Sequence, residues 1–133
     1  MMNELMDRID HIGIAVSDLD PAIEKYKMLG FKLEHIEEVE DQGVKIAMFP
    51  IGESKLELLQ PIEDNSIKKF VEKKGEGIHH LAIGVDDIEK KLDEIRDDVA
   101  LIDEEAREGA GESKVAFVHP KSTNGVLLEF VEE

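Results

Sequence analysis

The sequence predicts an α+β fold in which one βαβββ module occurs twice in tandem. Two observations indicate the duplication, a repeated strand that contains a histidine and a repeated strand that contains a glutamate. The first pair is RIDHIGIAV (8–16) and GIHHLAIGV (77–85), which align over their whole length and place His11 on His80. Self-similarity of this kind indicates a repeated structural unit.

The second repeated strand comes near the end of each half. The segments SKLELL (54–59) and VLLEFV (126–131) align and place Glu57 on Glu129. Each glutamate follows the histidine of its own half after nearly the same distance, 46 residues in the first half and 49 in the second. Two halves with matching histidine-to-glutamate spacing are harder to explain by chance than either segment alone.

A helical pattern follows each histidine-containing strand. In the first half Asp20 precedes Pro21, which is a favourable N-cap residue followed by proline at the first helical position. Gly30 is a typical helix stop. In the second half Asp87 precedes the pattern IEKKLDEIRDD. Each module is therefore predicted to continue from its first strand into a helix.

Three strand-like segments follow each predicted helix, separated by turns rich in glycine and polar residues. They cover residues 31–39, 44–50 and 55–60 in the first half and residues 99–102, 114–119 and 125–131 in the second. We expect one domain over 1–133, with module one at 8–61, a linker helix at 65–75 and module two at 77–132. The polar segment 103–113 is expected to form a loop.

Composition narrows the class of protein. The 133 residues are 41% hydrophobic, which is typical of a globular domain with a core of its own. The formal net charge of -16 disfavours nucleic acid and anionic membranes as partners. There is no cysteine, which excludes disulfides and thiolate chemistry. No segment resembles a signal peptide or a membrane span, so we expect a cytoplasmic protein.

The repeated histidines and glutamates are candidate metal ligands. Glu57 and Glu129 lie among leucine and phenylalanine in mid-strand, where an inward carboxylate is costly unless it is paired or bound to a cation. With His11 and His80 they form a set of two nitrogen and two oxygen donors, which suits one divalent Co, Mn, Zn, Ni or Fe(II). The alternative is that all four are ordinary strand residues. His79 aligns with an aspartate rather than with a histidine, so it is not expected to be a ligand.

The paired motifs DHIGIAV and HHLAIGV, each followed by an acidic helix cap, resemble those of the vicinal oxygen chelate superfamily, which includes glyoxalases, bleomycin-resistance proteins and dioxygenases. The resemblance covers nearly the whole chain. Within the superfamily, three segments resemble the methylmalonyl-CoA epimerases, namely KLELLQP (55–61), GIHHLAIGVDDI (77–88) and AFVHPKSTNGVLLEF (116–130). The resemblance implies a glyoxalase-like fold, in which the two modules form a curved mixed sheet around a metal site.

The resemblance also implies an activity. The epimerases interconvert (2R)- and (2S)-methylmalonyl-CoA through an enolate intermediate chelated to a divalent metal. We expect the metal at the four residues named above, and Glu129 to move the proton as well. The CoA moiety of an acyl-CoA substrate is anionic, so Lys114, Lys121 and Ser122 are candidate contacts. Relatives pair as homodimers, and the same is expected here.

Three other functions remain open at this level. Glyoxalase I (lactoylglutathione lyase) would use the same ligands, although the turn HPKSTNG (119–125) favours the epimerase. A non-catalytic small-molecule-binding relative would usually lack the ligand set, and a ring-cleaving dioxygenase would need a three-ligand Fe(II) site. Some bacterial epimerases place an acid, proposed as a base, where this chain has Ile46. The sequence therefore leaves open which residue is the second proton carrier of an epimerase.

Overall fold

The repeat seen in the sequence appears in the structure as two βαβββ units. The computed structural model describes residues 6–133 of the chain. The first unit comprises residues 11–79, and the second comprises residues 80–133 together with residues 6–10. The division falls inside the first strand of each module, directly before His11 and directly before His80.

The order of the elements follows the predicted duplication. The first half contains β1 (Met6–Ala15), α1 (Leu19–Met28), β2 (His35–Val39), β3 (Val44–Ile51) and β4 (Ser54–Pro61). The helix α2 (Ser66–Lys74) follows, and then β5 (Gly77–Val85), α3 (Ile88–Ile95), β6 (Arg107–Glu108), β7 (Lys114–Val118) and β8 (Leu128–Glu132). The α+β class and the two βαβββ modules are thereby confirmed.

The first unit is a mixed four-stranded sheet with α1 on one face. Its hydrogen-bonded strand order is β2-β3-β4-β1, in which β1 and β4 are parallel and the other neighbours are antiparallel. The core between helix and sheet consists of Val16, Leu19, Ile23, Ala47, Phe49 and Leu58. Burying this alternate set leaves the intervening strand residues on the other face of the sheet.

The second unit repeats this arrangement. Its strand order is β5-β8-β7-β6, with β5 parallel to β8 and the remaining pairs antiparallel. The helix α3 packs on β7 and β8. The core consists of Val85, Ile88, Leu92, Ala116, Val118 and Phe130. The second unit therefore has the same topology and the same helix placement as the first.

The second strand of the second unit does not lie where the sequence predicted it. Residues 99–102 form only an isolated bridge between Leu101 and Val118, and the short β6 lies within the expected loop 103–113. Val99 and Leu101 pack against the core of the second unit, which explains the apolar sequence. The prediction was wrong because apolar residues that cover a core need not form a ladder.

The predicted strand at 31–39 is also shorter in the structure, where β2 begins at His35. Phe31 and Leu33 pack against the core of the first unit from the connection that precedes the strand. The backbone N–H of Glu34 donates to the Met48 carbonyl at 2.8 Å, just before the regular ladder starts. The apolar residues of 31–34 therefore reflect core contacts rather than strand pairing.

The helix expected between the halves is α2. The Asn65 side chain accepts from the Lys68 N–H at 3.0 Å and caps the helix. Its amide also donates to the Gly43 carbonyl at 2.9 Å, which ties the start of α2 to the turn before β3. Within residues 6–133, no helix has the length and apolar character that crossing a bilayer requires.

Candidate functional site

The first unit brings His11 and Glu57 together in its interior. His11 lies on β1 and Glu57 on the parallel neighbour β4, in a register that pairs Glu57 with Gly13. His11 Nε2 lies 3.4 Å from Glu57 Oε1, and the two residues are only 5% and 3% exposed. Gly13 has no side chain, so the backbone opposite Glu57 leaves room for the carboxylate.

The second unit contains an equivalent pair. His80 lies on β5 and Glu129 on β8, in a register that pairs Glu129 with Ala82. His80 Nε2 lies 3.1 Å from Glu129 Oε1, and the two residues are 6% and 3% exposed. As in the first unit, a small residue two positions after the histidine faces the glutamate. The register of the duplication is therefore preserved at the candidate ligands.

An aromatic contact orients the second histidine. The His80 ring meets the edge of Phe117 at 85° with a centroid separation of 5.5 Å. Phe117 lies directly opposite Glu129 in the β7–β8 ladder, so one side chain borders both members of the pair. An imidazole packed in this way loses little further freedom when its Nε2 binds a ligand.

The two pairs have the donor chemistry of a transition-metal site. Each offers an imidazole nitrogen and a carboxylate oxygen from the buried interior of a sheet, and neither offers thiolate. Buried carboxylates are costly without a compensating positive charge. Imidazole with carboxylate suits Zn, Mn, Co, Ni or Fe(II) better than Ca or Mg. The residues present therefore fit a divalent metal of that group.

The two adjacent histidines of β5 have different surroundings. His80 contacts Glu129, as described above. The His79 ring instead meets Phe70 of α2 edge-on, with ring centroids 5.1 Å apart at an interplanar angle of 80°. Alternation along a strand sends neighbouring side chains to opposite faces. The sequence alignment had selected His80 over His79 for the same reason.

The predicted substrate contacts lie on the surface of the second unit. Lys114 is the first residue of β7 and is exposed, and it pairs in the ladder with Glu132. Lys121 is exposed in a short 3-10 turn (Pro120–Ser122), where its N–H donates to His119 Nδ1 at 3.1 Å. Ser122 Oγ accepts from the Ala100 N–H at 2.9 Å, a structural contact that the sequence did not indicate.

Sequence reasoning also missed two equivalent hydrogen bonds. In each unit, one of them joins the start of the helix to a side chain on the last strand. In the first unit the Leu19 N–H at the start of α1 donates to Gln60 Oε1 at 2.7 Å. In the second unit the Ile88 N–H at the start of α3 donates to Glu132 Oε1 at 2.9 Å. Each acceptor lies three residues after the buried glutamate of its strand. The repeat itself could have revealed them, because Gln60 aligns with Glu132 when Glu57 aligns with Glu129.

The start of β1, which belongs to the second unit, carries a cluster of ion pairs centred on Arg8. Arg8 Nη2 lies 2.7 Å from the fully buried Asp10 and 3.1 Å from Glu133. Burial lowers the pKa of Arg8, but the negative charges of Asp10, Asp7 and Glu133 outweigh it and raise the pKa above its ordinary value. A Cβ at Gly84 would meet the Asp7 carboxylate and lie 3.0 Å from Arg8 Nη1, so a larger residue there would require the ends of these two side chains to move.

Comparison with known proteins gives the family context. Residues 10–117 match the family model of the Glyoxalase/Bleomycin resistance protein/Dioxygenase superfamily. The mitochondrial methylmalonyl-CoA epimerase of Homo sapiens is 35% identical over 93% of this chain and 73% of its own length. An ethylmalonyl-CoA/methylmalonyl-CoA epimerase of Cereibacter sphaeroides is 35% identical over 94% of this chain and 97% of its own length.

A solved structure extends the comparison to three dimensions. A single-residue variant of Streptomyces coelicolor methylmalonyl-CoA epimerase, in complex with 2-nitronate-propionyl-CoA, is 42% identical and superposes with a TM-score of 0.93. The match covers 97% of this chain and 96% of that one. The resemblance to the methylmalonyl-CoA epimerases that the sequence motifs suggested is confirmed.

Proposed function

The chain belongs to the Glyoxalase/Bleomycin resistance protein/Dioxygenase superfamily, and we propose that within it the protein is a metal-dependent methylmalonyl-CoA epimerase. It would interconvert (2R)- and (2S)-methylmalonyl-CoA, which makes it an isomerase. The observation that carries the proposal is the buried histidine–glutamate pair found once in each unit of a chain whose relatives are epimerases. A solved relative bound to an acyl-CoA analogue supports an acyl-CoA substrate.

We propose that His11, Glu57, His80 and Glu129 hold one divalent ion. Their burial, their separation within each pair and their mixed nitrogen and oxygen donors support this assignment. When bound, a divalent ion supplies Lewis-acid stabilisation of the negative charge that develops on the substrate oxygens. Cobalt, manganese, zinc, nickel and ferrous iron all suit these donors.

The chain's own residues would provide the proton transfer. The carbon between the thioester and the carboxylate carries a weakly acidic proton, which a positioned carboxylate can take up as a general base. We assign this step to Glu129. Its carboxylate is buried, and the 3.1 Å contact with His80 limits its movement.

The CoA moiety of the substrate would bind to the surface of the second unit. Lys114 and Lys121 are exposed cations on a strongly acidic protein, which makes them suitable partners for CoA phosphates. Ser122 would hold the turn that carries Lys121, because its hydroxyl is tied to the Ala100 N–H. We further propose that the chain acts in the cytoplasm as a single domain and assembles as a homodimer.

Glyoxalase I is the alternative with the same donor set, and the relatives do not favour it. The human relative is a methylmalonyl-CoA epimerase and the Cereibacter sphaeroides relative is an ethylmalonyl-CoA/methylmalonyl-CoA epimerase, and both match nearly the whole chain. A non-catalytic binding relative is disfavoured by the presence of both histidine–glutamate pairs.

A proton-exchange experiment in heavy water separates these functions. Metal-loaded protein is incubated with methylmalonyl-CoA and, separately, with the hemithioacetal of methylglyoxal and glutathione, and α-proton loss is followed by NMR. We expect exchange and epimerisation with the first substrate only. Turnover of the hemithioacetal alone would identify a glyoxalase I, and exchange with neither would identify a binding protein.

A further inference from the structure

The sheet of the first unit has one face toward α1 and another that carries the candidate ligands. Leu58 and Phe49 belong to the core beneath α1. Glu57 precedes Leu58 in β4 and therefore points to the opposite face, which it shares with His11 through the β1–β4 register. We call this opposite face the ligand face of the first unit.

The ligand face extends across β3 to the edge strand β2. Met48 lies directly opposite Glu57, and His35 lies directly opposite Met48. Two positions further along β3, Ile46 lies opposite Glu37. Residues directly opposite one another in antiparallel strands project to the same face. His35 and Glu37 therefore lie on the ligand face.

The β3 side chains that lie between Glu57 and Glu37 on the ligand face are apolar. Ile46 and Met48 are 3% and 4% exposed and carry no titratable group. Among the described strand residues of the first unit, Glu37 is the only carboxylate on the ligand face besides Glu57. Two strand spacings of about 4.8 Å separate their strands by roughly 10 Å, so the two carboxylates are separated by apolar side chains of β3.

Glu37 is also connected to solvent through a second titratable side chain. Its Oε1 lies 2.9 Å from His35 Nε2, and His35 Nδ1 lies 3.5 Å from Glu34 Oε1. The Glu37 side chain is 28% exposed and the His35 side chain is 42% exposed. A proton on Glu37 can therefore pass to an imidazole that exchanges with water, as a catalytic carboxylate requires after each turnover.

Epimerisation requires a second proton carrier, because the proton leaves one face of the carbon and another returns to the opposite face. We propose that Glu37 is this carrier. His35 is a positioning residue, which holds the Glu37 carboxylate and passes the Glu37 proton to solvent. The assignment rests on the proposed epimerase function. When Glu37 removes the proton, the C–H bond breaks, an O–H bond forms on its carboxylate and the electron pair moves toward the thioester oxygen. In this direction Glu129 is the acid: its O–H bond breaks as it donates its proton to the other face, where a C–H bond forms. For the opposite epimer Glu129 is the base and Glu37 is the acid.

The test is Glu37→Gln, studied with each epimer of methylmalonyl-CoA separately in heavy water. The wild-type protein should exchange the α-proton of both epimers and interconvert them. The variant should still exchange the proton of one epimer, while epimerisation falls by about 10²–10⁴-fold, as expected for the loss of one acid–base group. The control is Glu38→Gln on the same strand, since Glu38 is exposed on the opposite face.

Metal affinity and the thermal midpoint of each variant are measured in parallel. Both should match wild type for Glu37→Gln, because Glu37 is not among the proposed ligands. His35→Asn should slow epimerisation while leaving one-sided exchange intact, and Glu37→Asp, which keeps a shorter carboxylate, should recover part of the activity. Unchanged epimerisation in Glu37→Gln, or equal loss with both epimers, would overturn the assignment. A wild-type protein that epimerises nothing would instead refute the proposed function.

Discussion

We predict that Glu132→Leu lowers the stability of the second unit. Glu132 Oε1 accepts the N–H of Ile88, the first residue of α3, at 2.9 Å. Ile88 is fully buried, so leucine would leave its N–H without this acceptor and with little access to water. The variant keeps the size of the side chain and removes only its hydrogen-bonding oxygens.

The magnitude follows from the kind of bond that is lost. A hydrogen bond to a charged group contributes about 1.5–3 kcal/mol, so Glu132→Leu should lower the free energy of unfolding by roughly that amount. Glu132→Gln keeps an acceptor and loses only the charge at the helix N-terminus, which contributes about 0.3–1 kcal/mol. The first unit supports the comparison, since Gln60 makes the equivalent bond to Leu19 at 2.7 Å.

The assay is urea unfolding of the metal-free protein, because a bound ion would add its own binding free energy to the folded state. Circular dichroism of wild type, Glu132→Leu and Glu132→Gln gives three midpoints and slopes from one protocol. The reasoning fails if the leucine variant unfolds within 0.5 kcal/mol of the glutamine variant, a margin of about the size expected for a surface substitution.

Three further predictions concern the site and the core. Glu129→Gln should lower turnover by about 10²–10⁴-fold with a much smaller change in KM, as steady-state kinetics would reveal. His80→Ala should weaken metal binding, measured by calorimetry, by more than the 10–100-fold that is typical of mutating a partner of a ligand. His79→Ala should leave the affinity unchanged, because His79 contacts Phe70 on the opposite face. Phe49→Ala should lower the unfolding free energy by about 3–5 kcal/mol in chemical denaturation, because this ring is fully buried against Tyr26 and Phe31.

The parts of the fold that the sequence predicted are those that local periodicity determines. Alternation along β1 and β5 separated the candidate ligands His11 and His80 from their neighbours, and α3 begins directly after Asp87 as expected. The prediction of Asp20 as the N-cap of α1 was wrong, because the helix begins at Leu19 and its cap is Asp18. The pairing of each histidine with its glutamate also followed from the sequence, because a duplicated register preserves the relation between strands that are far apart in the chain.

The parts that the sequence did not predict depend on tertiary contacts. The β6 strand at Arg107–Glu108 has only two residues and no apolar pattern, so nothing local distinguishes it from a loop. The alignment of Glu37 with Ile46 becomes visible only when the β2–β3 register is known. A polar residue at the end of a strand, such as Gln60, likewise shows its function only when the helix that it caps is in place.

The measurement that tests the central claim most directly is the stoichiometry of metal binding to metal-free protein. Titration with Co²⁺, followed by its visible absorption, should give one ion per chain for wild type. His11→Ala in the first unit and His80→Ala in the second should each remove that same tight site, since we propose that both histidine–glutamate pairs bind one ion. Two ions per chain, or a site that survives the loss of either histidine, would contradict the account.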